Sequence, residues 1–416
     1  MGRGEHLVRA DRAFATGGGL LPRLVAPAFA RVLDQLDERL LAGGIHGTLP
    51  DGSHRRIGFH APGPEPVVTL HSWMGLVRVA TSGSVGWYKA WERREWSSPD
   101  PVPLFELFMR NAVSLGGTAR AKGPFRFVNA LAHRLRDNAP ARARDNIAAH
   151  YDLGNDFYAA WLDPTMTYSS ALFPSLGMSL EASQHHKMER LLDRLDLQPG
   201  MRMLEIGCGW GSLAIAAARR GASVVGLTLS AEQKSLADGR IAEAGLTARI
   251  EIRLQDYRDI AAERFDAIAS VEMVEAVGTR WWGAYLDCIA RSLVPGGRAA
   301  LQFILIRPEL FDSYAASADF IQTYIFPGGM LIDEPRFRTL AEQRGLAWHD
   351  RSPSFGADYA KTLKHWRRNY DVALSRGELP GFSPAFHRLW RYYLMYCEGG
   401  FRGRGIDVAQ VTLVNS

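Results

Sequence analysis

Residues 204–212, Leu204-Glu205-Ile206-Gly207-Cys208-Gly209-Trp210-Gly211-Ser212, decide the fold of this 416-residue chain. The apolar run Met201–Ile206 predicts a buried strand directly before the glycines, and the alanine-rich run Ser212–Gly221 predicts a helix directly after them. Glycines at a strand-to-helix turn allow the backbone to turn tightly and let a ligand approach it closely. The spacing is G-x-G-x-G, not the G-x-G-x-x-G of dinucleotide-binding folds, and Glu205 stands two residues before the first glycine.

Strands and helices continue to alternate along the chain after this turn. A helix is predicted over Ala231–Ala244, and apolar runs predict strands at Ser223–Leu227, Ile250–Leu254, Ala267–Ser270 and Ala299–Ile304. Alternating strand–helix units predict an α/β fold with a doubly wound, mostly parallel, Rossmann-like sheet. A late run, Ile406–Val414, predicts one more strand, antiparallel at the edge of the sheet.

The residues before this region follow a different pattern, which predicts a smaller α+β domain over 21–118. Helices are predicted at Pro27–Leu41 and Val102–Leu115, and short strands at Ile45–Leu49, Arg56–Phe59, Val67–Leu70 and Leu76–Ala80. Residues 1–20 are polar and glycine-rich, which predicts a flexible tail. Residues 119–145 are predicted to form a basic linker, because Arg120–Arg144 holds seven basic residues and one acid, a net charge of +6.

Composition and charge narrow the class of protein. A hydrophobic content of 47% and a charged content of 22% are typical of a soluble globular chain. No run of 18 apolar residues is present, and the first residues lack the apolar core of a secretory signal, so we expect a cytoplasmic protein. Cys208, Cys288 and Cys397 have neither metal-ligand nor disulfide spacing, so no metal site is expected. The basic linker suits a phosphate-bearing partner, either nucleic acid or an anionic membrane surface.

Several stretches between about residue 146 and residue 416 carry a family resemblance. They are residues 150–158, 166–170, 204–212, 226–230 with Gln233, 272–278, 318–321 with 325–329, and 357–359. Together they resemble the cyclopropane-fatty-acyl-phospholipid synthase family of S-adenosylmethionine-dependent methyltransferases. The resemblance implies a catalytic domain over 146–416 with a helical lid insertion at about 306–340. It also implies a lipid-handling role for the N-terminal domain, where residues 86–92 alone match.

The resemblance implies transfer of a methyl(ene) group from S-adenosylmethionine to a cis double bond of an unsaturated phospholipid acyl chain, forming a cyclopropane fatty acyl chain. The expected partner is then membrane phospholipid at the anionic inner face of a membrane, to which the protein would be peripheral, and not nucleic acid. A homodimer is left open. The alternatives are methylation without ring closure, a small-molecule methyltransferase of the same fold, and a non-catalytic lipid-binding protein with a vestigial cofactor site.

The family's cofactor contacts can be carried onto matching positions of this chain. The residues expected to contact S-adenosylmethionine are Tyr168, Ser169, Glu205, Gly207, Gly209, Gly211, Thr228, Gln233, Asp256 and Tyr257. Tyr168 and Ser169 are expected at the amino-acid end of the cofactor, and Asp256 and Tyr257 near the adenine. For Asp256 a second interpretation stays open, namely a loop carboxylate with no ligand.

The family's base is a bicarbonate ion, and the resemblance implies where this chain would hold it. Glu275, Tyr359 and the backbone at Ile304 match three of the expected contacts. Ser170 stands in the position of the family's cysteine, and Gln302 in the position of its histidine, so two ligands differ. Glu272 is an additional acid in the same segment, with either a structural or a functional role. Tyr324, Phe326 and Tyr359 are the aromatic residues expected to line an apolar slot for the acyl chain.

Overall fold

The computed structural model describes residues 2–10, 26–116, 153–260, 262–317 and 319–416. The chain divides into two compact units. The first comprises Met1–Arg136, Glu309–Pro327 and Gly381–Ile406, and the second comprises Asp137–Pro308, Gly328–Pro380 and Asp407–Ser416. The units therefore interleave along the chain, whereas the sequence predicted consecutive domains. The predicted basic linker 119–145 and residues 11–20 of the predicted tail lie outside the described residues.

The described elements are numbered along the chain. The helices are α1 (Glu5–Val8), α2 (Ala26–Arg39), α3 (Met74–Glu92), α4 (Val102–Arg110), α5 (Ala112–Leu115), α6 (Asn155–Ala159), α7 (Leu180–Arg194), α8 (Ser212–Arg219), α9 (Ala231–Glu243), α10 (Trp282–Ser292), α11 (Pro308–Ala315), α12 (Phe320–Tyr324), α13 (Glu334–Glu342), α14 (Gly356–Ser375) and α15 (Pro384–Arg402). The strands are β1 (Gly44–Thr48), β2 (His54–Gly58), β3 (Val67–Leu70), β4 (Trp96–Ser97), β5 (Arg202–Ile206), β6 (Ser223–Thr228), β7 (Ile250–Leu254), β8 (Phe265–Val271), β9 (Leu293–Ile306), β10 (Leu346–Arg351) and β11 (Ile406–Asn415).

The first unit contains a four-stranded sheet in the order β2-β1-β3-β4. Strand β1 pairs antiparallel with β2 and parallel with β3, and β3 pairs antiparallel with β4. The helices of this unit enclose an aromatic core, in which the ring of Tyr88 lies 4.6 Å from that of Tyr324 and 5.1 Å from that of Tyr392. The predicted mixture of helices and short strands is therefore present.

Two predictions for the first unit are wrong in detail. Leu76–Ala80, predicted as a strand, lies within α3, because polar Arg78 and Ser82 face the interior and hide the helical period of the apolar residues. Arg78 is accommodated there by an ion pair with Glu95, whose Oε2 lies 2.8 Å from its Nε. Residues 2–10 of the predicted tail are folded, since Leu7 of α1 is buried and Arg3 lies over the ring of Phe382 at 4.5 Å.

The second unit contains a seven-stranded sheet in the order β10-β11-β9-β8-β5-β6-β7. The pairs β5–β6, β6–β7, β5–β8 and β8–β9 are parallel, and β10–β11 is antiparallel. Strands β5, β6 and β8 are apolar on both faces because helices cover them, which is why their sequences are nearly continuous hydrophobic runs. The predicted doubly wound, mostly parallel α/β sheet is confirmed.

Strand β10 was not predicted from the sequence, and its presence means that β11 is not the edge strand. Strand β11 is antiparallel to β10 as expected, but β10 and not β11 forms the edge. Strand β10 escaped detection because it is largely solvent-exposed and carries polar residues between its apolar ones. Of the predicted insertion at about 306–340, residues 309–327 belong to the first unit and the remainder to the second. No described helix combines the length and apolarity that a membrane span requires.

Candidate active site at the carboxyl edge of the sheet

The glycine turn after β5 is shaped to receive a ligand. Gly207 and Gly209 have φ angles of 84° and 52°, which residues other than glycine rarely adopt. A Cβ atom on Gly207 would lie 2.8 Å from Cγ of Met273, so the turn packs directly against the loop that follows β8. A Cβ on Gly209 would meet nothing within 4 Å. One side of the turn is therefore closed by protein, and the other is open to a ligand. Gly211 stands at the N-cap of α8.

Glu205, at the end of β5, is buried beneath this turn. Burial raises the pKa of its carboxyl to about 8, against the opposing effects of a hydrogen bond from the backbone of Ala214 and the charge of Lys187. Its Oε2 atom has no hydrogen-bond partner among the described residues. A buried acceptor without a partner at the base of an open turn is available to a ligand donor.

Polar groups that follow β6 and β7 complete the carboxyl edge of the sheet, and they differ in how far neighbouring residues already bind them. Thr228 donates its hydroxyl to Oε1 of Gln233 at 2.8 Å, so these two predicted cofactor residues are buried together. Asp256 is instead held by Arg258, whose Nε and Nη2 lie 2.9 Å and 2.6 Å from its two carboxylate oxygens. This pairing supports the second interpretation of Asp256, in which it is a structural loop carboxylate that binds no ligand. The buried hydroxyl of neighbouring Tyr257 has no partner among the described residues.

Tyr168 and Ser169 lie in an aromatic and polar layer that α7 and α14 support. The ring of Tyr168 packs 5.3 Å from that of Trp366 and 5.6 Å from that of Trp161. The Ser169 hydroxyl accepts a hydrogen bond of 2.7 Å from Nζ of Lys187. Because an ammonium group can only donate, the Ser169 hydroxyl proton is left to be donated elsewhere.

Lys187 is a site residue that the sequence analysis missed. It is fully buried, and three carboxylates act on its charge: Glu272, Asp163 and Glu205. Burial lowers the pKa of Lys187 to about 8, while those carboxylates favour the ammonium form. The available signal was its position in α7, where it follows Gln184 by three residues on the buried face that also carries Leu191.

Four of the predicted catalytic positions meet around Glu272. Its Oε1 atom accepts hydrogen bonds from the backbone nitrogen of Ser170 at 2.9 Å and from Nε2 of Gln302 at 2.8 Å, and Tyr359 also hydrogen-bonds to the carboxyl. The fourth position, Glu275, lies close enough for the charge of Glu272 to raise its pKa. The sequence is compatible with either a structural or a functional role for Glu272, and the structure places its carboxyl at the centre of the cluster.

The carboxyl of Glu275 is bound by backbone amides, those of Ile304 and of Glu275 itself. The backbone nitrogen of Ile304, on β9, donates to its Oε1, whereas its buried Oε2 has no partner among the described residues. Burial, and then the charge of Glu272, raise the pKa of Glu275 to about 8. The two acids are thus buried side by side, and the arrangement favours sharing a proton over double ionisation.

Tyr324 and Phe326, predicted to line the acyl slot with Tyr359, belong to the first unit. Tyr324 is in its aromatic core, and the ring of Phe326 lies 6.4 Å from that of Tyr393. Tyr359 belongs to the second unit, at the first turn of α14. Their common role in a slot stays a prediction.

A parallel sheet with a glycine turn and acids at its carboxyl edge defines the class of S-adenosylmethionine-dependent methyltransferases, and comparison with known proteins agrees. The family described as mycolic acid cyclopropane synthetase matches residues 138–411. The chain belongs to this family.

Individual relatives cover most of the chain. It is 38% identical over 364 residues to the tuberculostearic acid methyltransferase UfaA1 of Mycobacterium tuberculosis, covering 84% of this chain and 83% of the relative. It is 34% identical over 339 residues to the cyclopropane-fatty-acyl-phospholipid synthase of Escherichia coli K12, covering 80% and 84%. The crystal structure of mycolic acid cyclopropane synthase CmaA1 complexed with SAH and CTAB matches with a TM-score of 0.60 at 31% identity, covering 65% of this chain and 98% of that one.

Proposed function

We propose that this enzyme transfers a methyl(ene) group from S-adenosylmethionine to a cis double bond of an unsaturated phospholipid acyl chain and closes a cyclopropane ring. The observation that carries the proposal is the position of the buried acids. Glu272 and Glu275 flank Met273, whose side chain packs on the glycine turn at Gly207. Proton-accepting groups therefore lie on the loop adjoining the cofactor turn, where a methyl group would be delivered.

The residues of the turn fit S-adenosylmethionine. Gly207 and Gly209 would pass the amino-acid end of the cofactor, which Ser169 and the unpartnered oxygen of Glu205 would bind as donor and acceptor. Thr228 and Gln233 would hold the ribose side, and Tyr257 the adenine. When bound, S-adenosylmethionine supplies an electrophilic methyl group on a sulfonium cation. The protein's own task is to hold the donor, exclude water and receive a proton.

An alkene needs such surroundings because it is a weak nucleophile. It must be held in line with the methyl group and close to it, in a site from which water is absent. Attack leaves a carbocation on the acyl chain, which aromatic faces such as that of Tyr359 stabilise. Loss of a proton from the new methyl group closes the ring, whereas loss of a different proton gives a methyl-branched unsaturated chain. The position of the base therefore decides the product.

The bicarbonate ion implied by the resemblance does not fit these residues as they stand. The Ser170 hydroxyl donates to the carbonyl oxygen of Ala171 at 2.9 Å, and the Ile304 amide donates to Glu275. Gln302 is engaged at both ends, since its oxygen accepts from Nε2 of Gln410 at 3.1 Å. A further anion would have to displace one of these contacts beside two buried acids, so no step is assigned to it.

The membrane is proposed as the place of action, on the inner face, with phospholipid as substrate. A group of four cations on α14 supports this proposal. The Nζ atom of one of them, Lys361, lies 3.8 Å from the ring centroid of Phe173. The cations are Lys361, Lys364, Arg367 and Arg368. In the same loop as Phe173, Leu176 is fully exposed. An exposed apolar residue beside cations suits an anionic bilayer surface. A homodimer would show as a doubled mass in sedimentation.

The product tests the proposal. Purified protein is incubated with S-adenosylmethionine and vesicles of a monounsaturated anionic phospholipid, and the extracted lipid is analysed by proton NMR. A cyclopropane gives methylene protons far upfield of alkene and methyl signals. Vinylic protons with a new methyl signal would instead indicate the branched product, an alternative favoured by the similarity to a relative named as a methyltransferase. A lipid unchanged in mass would refute both.

A further inference from the structure

Glu272 adopts a backbone conformation that is uncommon for residues other than glycine. Its φ angle is 49°, in the left-handed region that costs a non-glycine residue about 1–2 kcal/mol. Its backbone nitrogen donates to the carbonyl oxygen of Gln302 at 2.7 Å, which fixes the residue directly after β8. Strain of this kind persists where the surroundings over-determine a conformation, and such positions cluster at functional sites. The surrounding structure therefore fixes the backbone of Glu272, and with it the position of the carboxyl, against the intrinsic backbone preference of the residue.

The contacts of the Glu272 carboxyl coincide with those expected for the bound anion. Of the five groups predicted to hold bicarbonate, three surround Glu272: the Ser170 segment, the Gln302 amide and Tyr359. The remaining two, Glu275 and the Ile304 amide, bind each other. Of the two positions at which this chain departs from its family, Gln302 donates to Glu272 through its side-chain amide, and Ser170 through its backbone nitrogen.

We propose that the carboxylate of Glu272 takes the place of the family's bound bicarbonate, so that this enzyme carries its own base and needs no exogenous anion. The role of Glu272 as the base rests on the proposed function. Its occupation of the anion site does not, and can be tested separately.

The groups facing Glu272 favour its ionisation over that of Glu275. Lys187 approaches it from α7 with a positive charge, and Tyr359 from α14 with a hydrogen bond. Donors that bind the charged form lower the pKa of a carboxyl. Glu272 has three such donors, two of them side chains, whereas Glu275 has two backbone amides, one of them its own. Burial raises the pKa of both acids, but Lys187 and the side-chain donors oppose it at Glu272, whereas at Glu275 the charge of Glu272 raises the pKa further. A single negative charge on the pair then resides on Glu272.

The chemical step balances with this one base. The π electrons of the acyl double bond form a new bond to the methyl carbon, and the carbon–sulfur bond breaks with its electron pair going to sulfur. The ionised Glu272 then takes a proton from the new methyl group. The electron pair of that C–H bond closes the ring onto the cationic carbon, and protonated Glu272 returns its proton to solvent before the next turnover.

Anion binding tests the proposal without requiring activity. Binding of 13C-labelled bicarbonate is measured by NMR for the wild-type protein and for Glu272→Gly. Glycine suits the φ angle of 49° and leaves the donors of Ser170, Gln302 and Tyr359 around a space of carboxylate size. We expect no binding to the wild type and stoichiometric binding to the variant. Stoichiometric bicarbonate on the wild-type protein overturns the proposal, whatever the variant does.

Activity provides the second arm, in buffer freed of carbon dioxide. Wild-type turnover should not change when bicarbonate is added. Glu272→Gln keeps the shape but cannot accept the proton, so turnover should fall about 10²–10⁴-fold and not recover with bicarbonate. Glu272→Gly should fall equally and recover at least about tenfold with bicarbonate. Calorimetry of S-adenosylmethionine binding controls for folding of both variants.

The two arms separate the inference from the proposed function. A wild-type enzyme that binds S-adenosylmethionine but modifies no unsaturated phospholipid, with or without bicarbonate, refutes the proposed function and leaves the binding result to judge Glu272. A wild-type enzyme that modifies phospholipid only when bicarbonate is present supports the function and refutes the role of Glu272.

Discussion

Replacing Lys187 with methionine should destabilise the protein in a manner that depends on pH. The ammonium is fully buried, and its removal deletes a 2.7 Å hydrogen bond to Ser169 together with the positive charge that acts on Glu272, Asp163 and Glu205. Methionine keeps the length and apolar character of the side chain, so packing changes little. The effect should therefore report on charge.

The magnitude follows from the protonation state of the carboxylates. Where they are ionised, loss of the cation leaves buried charge uncompensated, which costs about 3–5 kcal/mol. Where they can bind a proton, they become neutral instead, and the cost falls to about 1–2 kcal/mol for the lost hydrogen bond. The folded variant binds protons more tightly than the folded wild type. Its stability should therefore fall more steeply as pH rises from about 6 toward the pKa of Lys187, about 8.

Urea unfolding followed by tryptophan fluorescence at pH 6 and pH 7.5 measures this difference, with the two units fitted as separate transitions. Lys234→Met is the matched control, because Lys234 is partly exposed and pairs with Asp238 on the surface of α9. It should cost less than about 1 kcal/mol at either pH. S-adenosylmethionine should also bind Lys187→Met about 3–10-fold more weakly, through Ser169. Equal destabilisation at both pH values, or unchanged cofactor affinity, would show that the reasoning is wrong.

Three further outcomes are expected. Gly209→Val should abolish S-adenosylmethionine binding in calorimetry while the protein stays folded, since its side chain would enter open space at the turn; Gly239→Ala, an open position on α9, should bind normally. Glu275→Gln should raise the free energy of unfolding by a few kcal/mol near pH 8 and by almost nothing near pH 4.5. The reason is that a carboxyl whose folded pKa is raised to about 8 loses stability as pH rises. The double charge reversal Lys364→Glu with Arg368→Glu should weaken binding to anionic vesicles, measured by sedimentation, at least about thirtyfold at low salt, because each of the two cations removed contributes roughly 1 kcal/mol, and by less as salt rises. Equal binding of both proteins would argue for a different docking face.

The sheet was predictable because its central strands are buried on both faces. Strand β6 then appears as an apolar run between turn residues, and its end shifts by only one residue in the structure. Strand β9 begins six residues before its prediction, because Pro295, Gly296 and Gly297 interrupt the apolar run. Strand β10 was not predictable by the same rule, since water covers much of its surface. Helix α3 was hidden for the opposite reason, because Arg78 is polar yet buried through its ion pair with Glu95.

Some features of the site depend on residues that are adjacent in the sequence, and others depend on residues that are far apart. The glycine turn is contained in nine consecutive residues, so its conformation could be predicted from spacing alone. The pairing of Ser170 with Glu272 joins positions 102 residues apart, and that of Gln302 with Gln410 joins positions 108 apart. No periodicity in the sequence encodes such contacts. The role of Lys187 likewise depends on which carboxylates the fold brings to it.

Carrying the base on the chain has a consequence for both stability and catalysis. A bound ion enters a site only when it is present in solution, and the empty site can relax, whereas Glu272 must be buried and held at a strained φ angle in every folded molecule. Lys187 and the donors around the carboxyl offset that cost, which explains why a lysine is buried beside a cofactor site. In return the base is always in position, and its ionisation depends on Lys187 instead of on the concentration of dissolved bicarbonate. Lys187, Glu272 and the Gln302 amide then form one arrangement, and a change at any one of them should alter the enzyme's dependence on bicarbonate.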